Sequence, residues 1–543
     1  MQAKLSARPS VRRCALTGAI GLTLLGAGLP TAVADGSGPD LSRFYDQKVK
    51  WSACAGAETP DDLQCGRITV PVDYAKPRAG TLDLALARYR ATGKPRGSVV
   101  LNFGGPGGAG VKELASSGNE FMDLTKGYDV VTFDPRGVGR SSPVSCGDGS
   151  QEAADATDDS ADLDTDPRAV LRKLEKAAAQ CVRHSGPVLP HIGTVDAARD
   201  LDVIRQALGD GKLNYLGFSY GTRLGAVYAA RFPKKTGRMV LDGVDTLTEP
   251  LSEQGLVGAA GQQTALEDFV DWCVKDIACP LGQDARTGRE QVVRLIDSLD
   301  QDPVPTDFGQ EFTGQDLVGS LSQALYSAEL WPALERALAD LVEDGDTQRI
   351  LAFSGGGAAP HTTDDTRNGS GARTGRDGGN GDGDGGLADD EDIPLDNVPA
   401  ALMAINCADD PDRPSADSIT RNLGRLRAAY EQASPVFGRY RLTEVLMCYG
   451  RPRGTDFIRA EVKDLPGPKM LLVGTRGDPA TPYRWTVETA RRLGDAAVVL
   501  DNRSEGHTGY ASSPCVHRKA DDFLLYGSLP ADGSSCGQEN DDR

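Results

Sequence analysis

The chain has 543 residues, long enough that two structural regions are the reasonable expectation, with 39% hydrophobic and 25% charged residues. That balance is a soluble globular profile mixed with some polar low-complexity sequence. A formal charge of −19 argues against nucleic acid and anionic membrane surfaces as partners, and says nothing about substrate.

The first 34 residues read as a signal peptide rather than as fold. Arg8, Arg12 and Arg13 precede a mostly apolar run, Ala15 to Leu29, and Ala32-Val33-Ala34 supplies a small-x-small cleavage pattern. The run is too short for a spanning helix, so no membrane span is expected in a mature chain beginning near Asp35. Arg12-Arg13 leaves a twin-arginine export route open. Cysteine usage agrees with export. Of 11 cysteines Cys14 falls in the signal. The rest form sequence pairs: Cys54 with Cys65, Cys146 with Cys181, Cys273 with Cys279, Cys407 with Cys448, and Cys515 with Cys536. Five local disulfides with that pairing are expected in an oxidising compartment. No CxxC pair occurs and histidines are few, so no metal site is expected.

From Gly97 to Val244 strands alternate with helices. Ser98–Phe103 and Tyr128–Phe133 are β-branched runs bounded by Gly and Pro. Ala197, Leu201, Ile204 and Leu208 repeat at helical spacing, and Gly209 is a stop. Leu213–Leu216 reads as a strand, Thr222–Phe232 as a helix and Arg238–Asp242 as another strand. Beyond Val244 the pattern turns helical, as in Pro332–Leu341, until strands return at Lys469–Gly474 and Ala496–Asp501. The expected organisation is a signal peptide over 1–34, an α/β core over 35–247 and 466–543, and a helical cap over 248–465. Strands alternating with helices mean a mostly parallel sheet with ligands at its carboxyl edge. Within the cap, about 354–396 is rich in Gly and Asp and reads as a disordered loop, its 378–384 stretch only faintly like a calcium repeat.

Gly217-Phe218-Ser219-Tyr220-Gly221 lies between a predicted strand and a predicted helix, the context of a nucleophile elbow. A serine hydroxyl needs a base. Of the five histidines, His184 and His191 precede Ser219, His361 lies in the acidic loop, and His517 follows Cys515 as a surface residue. His507, in Glu505-Gly506-His507-Thr508-Gly509 after the last predicted strand, fits the chain order serine, acid, histidine. Asp478 follows the strand Leu471-Leu472-Val473 and is the candidate acid, although an Asp before Pro479 is also an ordinary turn residue. The loop Asn102-Phe103-Gly104-Gly105-Pro106-Gly107-Gly108 can offer backbone N–H groups to an oxyanion, with Tyr220 N–H as second donor. No Lys-Ser/Thr follows it, so a phosphate cradle fits worse.

Gly104–Gly108, Asp134-Pro135-Arg136-Gly137-Val138-Gly139-Arg140-Ser141, the Ser219 elbow and Gly474-Thr475-Arg476-Gly477-Asp478-Pro479-Ala480-Thr481-Pro482 together resemble the secreted tripeptidyl aminopeptidases. These are serine exopeptidases related to proline iminopeptidase within the α/β-hydrolase superfamily. The resemblance covers about Trp51 to Cys536. It implies an α/β-hydrolase fold with nucleophile Ser219, acid Asp478, base His507 and oxyanion donors at Gly105 and Tyr220, with no cofactor. Asp134–Ser141 matches a structural turn. Asn102-Phe103 stands where proline iminopeptidases usually have a histidine, which weakens a claim to proline specificity. Thr481 is a candidate hydrogen-bond partner for the acid. Cutting from a free N-terminus needs a carboxylate for the ammonium, and Asp409, in Asn406-Cys407-Ala408-Asp409-Asp410, is the candidate. The expectation is a secreted exopeptidase acting on peptide or protein N-termini. A carboxylic-ester hydrolase and a non-catalytic exported binding protein on the same scaffold stay open.

Overall fold

A computed structural model of the chain describes residues 39–54, 59–158, 163, 165–306, 309–353, 392–458 and 462–537. The signal segment and residues 354–391, including the calcium-like stretch, lie outside the described residues. The far end of the acidic stretch departs from the disordered loop expected there. Asp396 accepts hydrogen bonds from the Cys146 amide and from the Ser145 and Ser150 hydroxyls at 2.7–2.9 Å.

Among the described residues twelve strands form in chain order. They are β1 (Ser52–Ala53), β2 (Gln64–Pro71), β3 (Thr81–Tyr89), β4 (Ser98–Asn102), β5 (Asp129–Phe133) and β6 (Leu213–Phe218). Then come β7 (Thr236–Asp242), β8 (Val304–Pro305), β9 (Glu311–Phe312), β10 (Met470–Gly477), β11 (Ala497–Glu505) and β12 (Ser534–Cys536). Ten of them make one sheet in the order β1-β2-β3-β5-β4-β6-β7-β10-β11-β12. The first three are antiparallel to their neighbours, and every pair from β5 to β12 is parallel. The antiparallel β2 and β3 lie ahead of the strand–helix alternation that starts at Gly97.

The parallel strands are buried on both faces, which is why they read as continuous apolar runs. Leu213, Tyr215, Met239, Leu241 and Leu472 feed one layer, against helices Thr194–Leu208 and Tyr220–Arg231. Leu216, Phe218, Val240, Leu471 and Val473 feed the other, against helix Pro514–Tyr526. Period-two alternation thus splits each strand between two cores.

Between β7 and β10 the described regular elements are helical apart from the β8–β9 hairpin. Phe269, Trp331, Leu334, Leu338 and Phe437 give this insertion its own core. Helix Asn397–Asp409 belongs to the insertion by sequence but packs Ala400, Ala401, Ala404 and Ile405 into the main core. Among the described residues no helix is long and apolar enough to cross a membrane.

All five expected cysteine pairs are joined. Cys54 is bonded to Cys65, which fastens the end of β1 to β2, and Cys515 is bonded to Cys536, which fastens helix Pro514–Tyr526 to β12. Cys146 is bonded to Cys181, tying the loop before helix Gly149–Asp158 to helix Pro167–Ser185. The Arg451 guanidinium donates to Cys181 Sγ at 3.1 Å, so the insertion rests on that bridge. Cys273 with Cys279 and Cys407 with Cys448 complete the set. All ten of these cysteines are held in disulfides, so none offers a free thiol. Cys65 sits in β2, towards the opposite end of the sheet from β10 and β11, and Cys181 is buried within its helix.

Candidate active site

Ser219 lies between the end of β6 and the start of helix Tyr220–Arg231, with φ +53° and ψ −123°. A non-glycine residue there is strained, and the neighbouring glycines make the turn possible. A Cβ on Gly217 would lie 2.6 Å from the Gly221 carbonyl oxygen, and one on Gly221 2.5 Å from that of Asn102. The result places Ser219, half-buried as a residue, at the carboxyl edge of the sheet.

Asp478 and His507 follow β10 and β11 at the same edge. His507 Nδ1 lies 2.9 and 3.0 Å from the two oxygens of the Asp478 carboxylate, which is 2% exposed. That carboxylate also accepts the amides of Ala480 (2.8 Å) and Thr481 (2.7 Å) and the Thr481 hydroxyl (2.9 Å). Its orientation is fixed from three sides, and an Nδ1–H donated to it leaves Nε2 as the free base. Burial pushes the imidazole pKa down. The Asp478 carboxylate, with Asp242 and Asp245 behind it, more than restores it, so His507 ends above its ordinary value. Among the described hydrogen bonds none joins Ser219 Oγ to His507 Nε2; such bonds commonly tighten only when substrate binds. His517 is engaged elsewhere, stacked on Tyr510 at 4.2 Å and facing Asp521 at 3.5 Å.

The glycine loop after β4 closes against the elbow. A Cβ on Gly104 would lie 3.0 Å from Ser219 Cβ and 3.3 Å from the Tyr220 nitrogen. Gly104, Gly105 and Gly107 all have φ between +91° and +107°, the region open to glycine. The buried Asn102 side chain accepts the Gly104 amide at 3.2 Å and so shapes the loop from below. Among the described hydrogen bonds none takes up the Gly105 or Tyr220 amide.

Residues 97–338 match the alpha/beta hydrolase fold family, and residues 434–536 match the family described as TAP-like protein. Serine protease Hip1 of Mycobacterium tuberculosis is 31% identical over 99% of this chain and all of its own length. Tripeptidyl aminopeptidase of Streptomyces coelicolor is 32% identical over 93% of this chain and 88% of its own. Carboxylesterase B of M. tuberculosis is 31% identical over 90% and 89%. This chain is a TAP-like α/β hydrolase. It belongs with the serine hydrolases of that fold.

In this TAP-like hydrolase Asp409 is not open to a substrate ammonium. It is 4% exposed, and its oxygens accept the Thr194 amide (2.7 Å) and hydroxyl (2.5 Å) and face Arg223 at 3.4 Å. Arg223 is itself paired with Asp245 at 2.8 Å. A substrate amine would have to displace a buried guanidinium, so Asp409 serves as an internal counter-ion that ties helix Asn397–Asp409 to the core. Asp134–Ser141 is structural: Asp134 accepts the Val111 and Arg140 amides at 2.8 and 2.9 Å. Among the described residues, the ligand-type cluster Cys273, Cys279 and Glu335 has its two cysteines in a disulfide, which leaves no thiolate for an ion.

Two residues in contact with this site escape a sequence-based search. Asp242 ends β7 as Asp478 follows β10, and is fully buried beneath the histidine loop. Its place at a parallel strand's carboxyl end is the available signal. Tyr326, from the insertion, packs on His507 across a sequence gap that carries no signal at all.

Proposed function

We propose that this TAP-like hydrolase is a secreted serine exopeptidase that releases short peptides, tripeptides among them, from free N-termini. Ser219 Oγ attacks the scissile carbonyl carbon while His507 Nε2 takes its proton. The tetrahedral oxyanion is held by the Tyr220 and Gly105 N–H groups, each such donor contributing about 3 kcal/mol to the transition state. Collapse breaks the C–N bond, His507 returns the proton to the leaving amine, and water then hydrolyses the acyl-enzyme by the same route. Asp478 holds the tautomer throughout, and Thr481 holds Asp478.

The observation that carries this reading is the Asp478–His507 pair at 2.9 Å on strand ends beside an elbow serine at φ +53°. The tripeptidyl aminopeptidase relative supports the exopeptidase part, and five disulfides support export. A fluorophosphonate probe should label the wild type and not Ser219→Ala; an unlabelled, folded wild type would return the binding-protein reading. Peptides with free and acetylated N-termini separate the modes of cutting, and equal rates would sink exopeptidase action. The carboxylesterase B relative keeps a second reading, ester hydrolysis. A kcat/KM for short acyl esters far above that for every N-terminally free peptide would favour it.

A further inference from the structure

The insertion touches the candidate base directly, at one bend. Between helices Gly314–Ala324 and Ala328–Leu330, Leu325 is fully buried in the insertion's own core and the next residue, Tyr326, turns toward the sheet. The Tyr326 carbonyl oxygen accepts the His507 amide at 2.8 Å. Its ring meets the imidazole edge-on, with centroids 5.1 Å apart and planes at 76°. Beneath the contact is Gly506 at φ +93°, where a Cβ would lie 2.9 Å from that same carbonyl. Three separate features thus converge on one three-residue bend: a hydrogen bond from the His507 amide, a ring contact and a glycine that lets the loops meet.

Tyr326 is 41% exposed as a residue, while burial of its phenol pushes that group's pKa up. The charged groups around the pair are Asp478, Asp242 and Asp245 beside the imidazole, and Arg441 and Glu444 beside the phenol. We propose that Tyr326 is a positioning residue through which the helical insertion sets the placement of the His507 imidazole, its carbonyl fixing the loop and its ring walling the base from water. The inference rests on His507 acting as the base of the serine hydrolase reaction. Its consequence is that a shift of the insertion's core is passed on to the base, so the insertion influences the rate.

The test is the rate of Ser219 labelling by a fluorophosphonate probe as a function of pH, with folding followed by circular dichroism. Tyr326→Ala should slow labelling about ten- to a hundredfold, the scale set by misplacing a reacting group by about 1 Å. It should also move the acidic limb to higher pH, because burial opposes the imidazolium and the variant removes part of that burial. Tyr326→Phe keeps the carbonyl and the ring edge and should restore the wild-type rate and midpoint. Gly506→Ala, which pushes on the carbonyl from the other side, should slow labelling while leaving the ring in place. A folded Tyr326→Ala that labels at the wild-type rate with an unmoved midpoint overturns the proposal. Should that variant fail to fold, wild-type labelling by Gly506→Ala overturns it instead. Failure of the wild type itself to label would remove the hydrolase mechanism beneath it, a different result from either.

Discussion

Asp242 accepts the Ser219 amide on its carbonyl oxygen at 2.9 Å, while its carboxylate accepts the Gly509 amide at 3.0 Å and the Tyr510 amide at 2.7 Å. One residue at the end of β7 therefore spans the Ser219 turn and the loop that carries His507. Its side chain is fully buried, which pushes its pKa up to about 6 against the pull of those amides, so near neutral pH it is charged and adds to the field at His507.

Asp242→Asn removes that charge and offers one of the two amides an NH₂ instead of an acceptor. Mismatching a buried hydrogen-bond partner costs about 1–3 kcal/mol, so a lower Tm is expected. Probe labelling of Ser219 should slow, and the acidic limb of its pH profile should shift downward because the imidazolium loses a stabilising carboxylate. An upward shift would mean that Asp242 does not act on His507 electrostatically.

Asp478→Asn tests the larger partner. In the proposed mechanism His507 must be neutral to act as the base, so wild-type activity should rise with pH through a midpoint above the ordinary imidazole value of about 6.5. The amide substitution removes the principal charge raising that midpoint and admits the wrong tautomer. A loss of about 10⁴ in kcat is expected, with the residual activity showing a lower midpoint. Thr481→Val, which withdraws one donor from Asp478, should slow the enzyme far less without moving the limb below that of Asp478→Asn.

What can be read without coordinates is whatever is local in the chain. Ser98–Phe103 and Lys469–Gly474 are apolar because both faces of a parallel strand are covered, and each strand forms within a few residues of its expected limits. The Ser219 turn announces itself through Gly217 and Gly221, whose missing side chains are a steric requirement of the turn. Cys54 with Cys65 and Cys146 with Cys181 pair as sequence neighbours because their partners sit on adjoining elements. What depends on distant partners stays hidden. Asp409 resembles any acid at the end of a helix until Arg223, 186 positions earlier, is seen to neutralise it. Asp242 and Asp478 both terminate parallel strands, and only the histidine's position separates their roles. β3 has a legible pattern, Leu82, Leu84 and Leu86 alternating with Asp83 and Ala85, but it precedes the βαβ units on which the expected sheet rests.

Arg136 and Asp200 form a fully buried pair, with Nη2 to Oδ1 at 2.6 Å and Nε to Oδ2 at 2.7 Å, and Tyr74 donates to the same carboxylate at 2.8 Å. The guanidinium also donates to the Val72 and His191 carbonyls, so it fastens the Asp134–Ser141 turn to β2 and to helix Thr194–Leu208. Asp200→Ala would strand a buried cation, at a cost of about 3–5 kcal/mol. The expected result is a large fall in Tm with Ser219 labelling per folded molecule unchanged, since neither residue contacts the catalytic candidates. Loss of labelling in a sample shown to be folded would contradict that separation.

Glu505 supplies a different lever, because it immediately precedes the Gly506-His507 segment. Burial, reinforced by the facing Asp268 carboxyl, pushes its pKa up to about 7 from 4.5, and Asp268 is raised as well. The folded chain then binds these protons more tightly than the unfolded one. Stability contributed here is present at low pH and declines as pH rises from about 4.5 towards about 7, when both carboxylates must ionise side by side. Glu505→Gln abolishes the repulsion, so its Tm should exceed the wild type's at pH 8 and lose that advantage at pH 4.5. Asp268→Asn should give the same pattern, since it removes the opposing charge from the other side. Thermal melts at the two pH values decide it: an equal Tm difference at both would show that the two acids are not coupled. Because the pair sits between helix Leu251–Cys273 and the end of β11, the same variants should also steady the histidine loop at alkaline pH. Slower protease nicking or slower amide exchange at Gly506 and His507 at pH 8 would register that effect independently of the melts.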